Sequence, residues 1–183
     1  MEENYIEESV RVRLILSGLS ELEEHGLADF SLRRAAIGAQ VSCAAPYRHF
    51  KDKDEYIREI IKYVNSKWEL LSEQIKSVFK AAPSRLVIEM CLANLRFWIA
   101  NKNYRTVFTV ALDTDLDFSL DSAVVSAVNE YSRYLSLSDE EMQIKIYTVR
   151  ALIAGSVMLV GSDGVEDVIE KTRKKLETEF PKS

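Results

Sequence analysis

The sequence predicts an all-α protein of about nine helices: an N-terminal three-helix unit, then a larger helical domain. Three observations carry that prediction. Only 6 glycines and 3 prolines occur in 183 residues, too few for the many tight turns of an all-β chain. Apolar side chains recur three and four positions apart along most of the chain, the period of an amphipathic helix. Serines or acids stand just before several of these stretches, where helix caps belong. The length suits one or two domains, and 47% hydrophobic residues are enough for a core.

Val12, Ile15, Leu16, Leu19 and Leu22 define a first helix, with Arg11, Glu21 and Glu24 turned outward and Gly26 ending it. Ser31 reads as the N-cap of a short second helix through Ala39, and Ser42 as the cap of a third through His49. Pro46 falls at or just past that third helix's first turn, where its missing N–H costs least. Asp52, with Glu55 three residues on, makes a capping-box-like start to a long fourth helix reaching Phe79. Two short helices a few residues apart have helix-turn-helix spacing. The predicted boundary falls at 53/54, giving a 1–53 helix-turn-helix domain and a 54–183 helical domain.

Further helices are predicted from Pro83 to about Ala100, Tyr104 to Leu112 and Ser122 to Leu135. Ser138-Asp139-Glu140-Glu141 opens a long one through Val160, broken by Gly161 to Gly164. On it Tyr147, Ala151, Ala154 and Met158 share one face, and Ile146, Ile153, Val157 and Val160 another, so it must be covered on two sides. The last helix places Val165, Val168, Ile169, Leu176 and Phe180 on one face.

The net charge of −5 argues against nucleic acid until its distribution is considered. From Ser31 to Lys53 five bases (Arg33, Arg34, Arg48, Lys51, Lys53) meet one acid, Asp52, a net +4 that leaves −9 elsewhere. Cys43 and Cys91 fit neither a disulfide framework nor metal-ligand spacing, and predict a reduced setting. Met1-Glu2-Glu3-Asn4 opens acidic where a secretory signal needs positive charge. The longest apolar stretch, Ala151 to Gly161, is shorter than the ~20 residues of a membrane span. A cytoplasmic protein with no membrane partner is expected.

Function concentrates in Ser31-Leu32-Arg33-Arg34-Ala35-Ala36, then Val41-Ser42, then Ala44-Ala45-Pro46-Tyr47-Arg48-His49-Phe50-Lys51-Asp52-Lys53. Small residues Cys43, Ala44 and Ala45 let one helix end sit deep in a major groove, where base edges are read. Ser42 and the helix end supply donors to phosphate. This run resembles the DNA-binding signature of TetR-family transcriptional regulators, most specifically in Val41-Ser42 followed at the right distance by Tyr47-Arg48-His49-Phe50 and Lys53. The resemblance implies that Tyr47, His49 and Lys53 contact the DNA backbone, that Phe50 packs inward, and that Ala45 reaches a thymine methyl. Arg48 is assigned to phosphate or base, and at least one of Arg33 and Arg34 to phosphate. Packing alternatives stand beside these: Tyr47 against the first helix, His49 on the core beside Phe50, and the arginines as solvated surface.

The family usually has glycine where this chain has Gln40, and a non-glycine in a left-handed turn costs ~1 kcal/mol, which predicts a reshaped turn. Ala35 stands where a larger aliphatic is usual, thinning the small core, and Glu2, Glu3, Glu7 and Glu8 make the N-terminal arm unsuited to a minor groove. The resemblance further implies a bacterial one-component regulator, read as a repressor, that binds double-stranded palindromic operator DNA as a homodimer. A small-molecule effector would release it. The last two helices would form the dimer interface through Ala151, Ala154, Met158, Val165 and Ile169. The aromatics Trp68, Trp98, Tyr104, Phe108 and Tyr147 would line an effector pocket, with core filling as the plainer use of each.

No cofactor or metal is predicted. Asp113, Asp115 and Asp117 alternate like calcium ligands, but Phe118 and Val124 stand where such a loop needs glycine and glutamate. Gly161-Ser162-Asp163-Gly164 lacks the lysine of a phosphate loop, and no nucleophile elbow occurs. A helical enzyme and a redox-responsive regulator acting through Cys43 remain the alternatives.

Overall fold

A computed structural model describes residues 2–100 and 120–181. The predicted helix from Tyr104 to Leu112, with Tyr104 and Phe108, lies outside the described residues, as does the Asp113–Asp117 segment. The fold is all-helical: α1 Glu2–His25, α2 Leu32–Gly38, α3 Pro46–His49, α4 Lys53–Phe79, α5 Pro83–Ala100, α6 Leu120–Tyr134, α7 Asp139–Asp163 and α8 Val165–Glu179. Two compact units divide between Ser66 and Lys67, inside α4.

The first unit packs α1, α2, α3 and the opening turns of α4 around a small core. Ile15, Leu19 and Leu22 of α1 are buried, as the spacing predicted, but Val12 and Leu16 are exposed and Leu14 is buried in their place; Phe30, Ala35, Ala36, Phe50, Tyr56 and Ile60 complete this core. Phe50 stacks on Tyr56 at 4.2 Å, nearly parallel, and Phe30 meets the same ring edge-on at 5.4 Å. The Tyr56 hydroxyl donates to the Leu14 carbonyl. Gly18 is needed where α1 crosses α4: a Cβ there would come within 2.8 Å of Ile60 Cδ1 and 3.0 Å of the Tyr56 ring.

Glu21 departs from the expected outward orientation. Its side chain is only 6% exposed, accepting from the Ser31 backbone N–H at 3.0 Å and from Arg34 Nε at 2.8 Å. A buried carboxylate is tolerable only with such charged and backbone donors, and both donors come from the start of α2.

In the second unit α5 is central and touches α6, α7 and α8. Leu86, Val87, Met90, Cys91, Leu92, Leu95, Val124, Val128, Tyr131 and Val149 are buried in it. Burial raises the Cys91 thiol pKa well above its ordinary value, with the Asp121 charge adding to the effect. The end of α8 is tied down: Phe180 meets Tyr131 edge-on at 5.0 Å, its carbonyl accepts from Ser84 Oγ at 2.5 Å, and Lys145 Nζ sits 4.9 Å above its ring. Ser138 and Glu141 close a full capping box at the start of α7. The helix runs three residues beyond the predicted Val160 before Gly164, at φ +83°, turns the chain.

Candidate nucleic-acid interface

The turn that delivers α3 keeps the left-handed shape instead of being remodelled. Gln40 has φ +57°. The Val41 N–H reaches the Ala36 carbonyl and the Gln40 N–H the Ile37 carbonyl, each at 3.0 Å, the pair of bonds that closes a Schellman motif. These two backbone hydrogen bonds hold a conformation that Gln40 alone would avoid.

The helix after it starts later than Ser42. The Ala45 N–H donates to the Ser42 carbonyl at 2.9 Å, closing a turn, and the helix proper spans only Pro46–His49. Proline needs no N–H partner at a first helical position, so Pro46 sets the boundary. Asp52 Oδ1 then accepts from the Glu55 N–H at 2.8 Å, while Glu55 reaches back to the Lys51 N–H at 2.6 Å. This is a capping box displaced by one residue.

Ser42, Cys43, Ala44, Tyr47 and Arg48 are exposed together on this turn and helix, with His49 half-buried beside Phe50. Tyr47 is 67% exposed, which sets aside its packing on α1. Phe50 is buried as predicted, with the Arg11 guanidinium 5.6 Å above its ring. Ala45 differs from the reading that gave it a thymine methyl: it is buried, because the turn directs it into the core, and Ala44 carries the exposed methyl.

The remaining basic residues divide into engaged and open. Arg33 is exposed. Arg34 donates to Glu21 and to the Asp29 carbonyl, and Ser31 Oγ accepts from the Arg34 N–H at 3.4 Å as the predicted cap of α2. Lys53 Nζ donates to the Leu27 carbonyl at 2.7 Å and lies 5.8 Å from the Phe30 ring centre. An ammonium has three donors, so two remain.

In the second unit Trp68 and Trp98 are buried, and Phe97 lies against both. Trp98 Nε1 donates to Asn94 Oδ1 at 3.1 Å, whereas the buried Trp68 Nε1 has no hydrogen-bond partner among the described residues. Tyr147, assigned to the same pocket, is 74% exposed on the outer side of α7. The pattern of α7 offers two apolar faces, and the packed one is Ile146, Val149 and Ile153.

That outer side is a seam that sequence reading identified only in part. Ile144, Tyr147, Ala151, Ala154, Met158 and Gly161 follow one another along α7 at alternating spacings of three and four, and all are exposed, as is Val165 at the start of α8. Such spacing is the stripe along which two helices pack. Ile169, expected in the same interface, is instead buried within its own unit, because it falls on the inner face of α8 beside Val168. By length and composition Asp139–Ser162 could cross a membrane. Its inner face, however, carries polar ties: Lys145 to Glu179 at 3.2 Å and Ser156 to Thr172 at 2.8 Å. Among the described residues no group of three or more His, Cys, Asp or Glu is placed to hold a metal ion.

No family model and no curated protein matches the sequence. Solved structures do match the fold, which is that of TetR/AcrR-family transcription regulators. FadR of Bacillus subtilis, solved with stearoyl-CoA, is similar over 93% of this chain and 97% of its own, at 14% identity and a TM-score of 0.71. A TetR-family regulator from Marinobacter aquaeolei is covered in full, as is this chain, at 15% identity and TM-score 0.68. NalD of Pseudomonas aeruginosa, a repressor of a multidrug efflux pump, has 21% identity over 95% of this chain and 94% of its own, with TM-score 0.62.

Proposed function

We propose that this chain is a bacterial, cytoplasmic one-component transcriptional repressor that binds a palindromic operator as a homodimer and is released by a small-molecule effector. Residues 1–53 are its DNA-binding domain, supported by the first turns of α4, and 54–183 its sensing and dimerising domain. The observation that carries this reading is the exposed run Ser42, Cys43, Ala44, Tyr47 and Arg48, held by the Schellman turn on a TetR-like framework. Small residues admit the backbone to a groove, and the flanking hydroxyl, phenol and guanidinium supply phosphate contacts. Arg33, Arg34, His49, Lys53 and Ser31 border that run and complete the contact set.

The seam on α7 supports a dimer, since an exposed apolar stripe at coiled-coil spacing requires a partner. No catalytic constellation enters the reading. Support for an effector comes from the fold's other members, one solved with stearoyl-CoA and another with resorcinol. Selecting bound fragments from a random DNA pool tests the proposal. An inverted repeat should emerge, because a two-fold dimer reads two like half-sites. Recovery of no sequence, or of one unrepeated site, would count against it.

A further inference from the structure

We infer that a cleft in the second unit, formed by α4, α5 and α6, is a binding site for an organic cation with an apolar tail. The inference rests on the effector-responsive reading but places the effector away from the buried tryptophans. The cleft encloses about 470 Å³, within the size range of small-molecule sites. Leu86, Met90 and Ala127 form an apolar floor. Around it stand Glu69, Glu73 and Glu130 against a single base, Lys76, a net −2.

Lys76 reaches Glu130 across the cleft at 3.9 Å, the outer limit of an ion pair, so this strap is weak. Among the described residues neither Glu69 nor Glu73 has an ion-pair partner. An apolar floor below unneutralised carboxylates complements a molecule that is greasy at one end and positive at the other. An anion of the same shape would meet repulsion. The serines at positions 72, 122 and 126 line the same cleft and tolerate a polar linker. A bound cation would compete with Lys76 for Glu130 and so open the strap between α4 and α6.

Calorimetry on the full-length protein with decyltrimethylammonium, below its micelle concentration, tests this, with decyl sulfate as the anionic counterpart. The cation should bind once per chain and more tightly than the anion. Glu73→Gln with Glu130→Gln, which keeps shape and removes charge, should weaken it about tenfold, the sum of two exposed pairs. Lys76→Gln should strengthen it severalfold. Glu166→Gln on α8 should change nothing. Equal affinity for cation and anion, or indifference to the Glu73/Glu130 and Lys76 variants, would overturn the site. Operator binding is read separately by fluorescence anisotropy. A cation that binds with the expected variant pattern yet leaves the DNA complex intact supports the site and overturns only the effector reading.

Discussion

Gln40 shows how one residue can be retained against its own backbone preference. At φ +57° it occupies a region that costs a non-glycine ~1 kcal/mol, and the two Schellman hydrogen bonds hold it there. Gln40→Gly should therefore raise stability by up to ~1 kcal/mol in urea unfolding, with the unfolded chain's extra freedom offsetting part of the gain; a loss would show that the Gln40 side chain matters more than its backbone. Lys53 joins two roles at one residue. Its bond to the Leu27 carbonyl anchors the start of α4, and its two other donors are free for phosphate. Lys53→Ala should lower stability by roughly 1–2 kcal/mol and also flatten the salt dependence of DNA binding. Lower stability with an unchanged salt slope would confine Lys53 to folding. The two cysteines separate just as plainly. Cys43 is exposed and Cys91 buried with a raised pKa, so a thiol reagent should titrate one cysteine in the native protein and two in denaturant.

Among the elements, α7 was the most legible and also the most misleading. Its capping box follows directly from Ser138 and Glu141, and its two apolar faces follow from periodicity. Which face the chain itself covers does not, because residues at that spacing are equally apolar on both sides; Tyr147 was therefore assigned inward and lies outward. Glu21 failed differently. A carboxylate on α1 reads as a solvent residue, and the donors that bury it, Ser31 and Arg34, lie across a turn whose path no local pattern specifies. α3 is shorter than its sequence predicts, because Ser42 closes a turn and the helix starts only at Pro46. At the start of α7 the backbone and hydroxyl hydrogen bonds from Ser138 hold the Glu141 carboxyl below its ordinary pKa. A depressed folded pKa contributes stability that is present above the unfolded value and is lost as pH falls through the folded one. Acid should thus erode the α7 N-terminus below the usual carboxylate range. Glu141→Gln should remove that part of the pH dependence, measured as melting temperature against pH, and an unaltered profile would mean that the capping bond contributes nothing.

For the whole molecule, the α7 seam and the DNA surface meet in one quantity, the salt slope. Each phosphate neutralised by a base contributes about −0.9 to the slope of log affinity against log salt. Arg48 is exposed at the centre of the proposed interface, and a dimer presents it twice, so Arg48→Ala should flatten the slope by about 2. Ala154 lies in the middle of the seam, where an arginine from each subunit would face its own copy. Ala154→Arg should give monomers by light scattering while helicity persists. In that background only one copy of Arg48 meets DNA at a time, and Arg48→Ala should flatten the slope by only about 1. Lys171→Ala, on α8 in an ion pair with Asp167 at 2.7 Å, should leave mass and slope alike unchanged. If Ala154→Arg remains dimeric, the α7 seam is not the interface. If it turns monomeric and Arg48→Ala still costs the same slope in both backgrounds, the two subunits do not each place an Arg48 on the DNA.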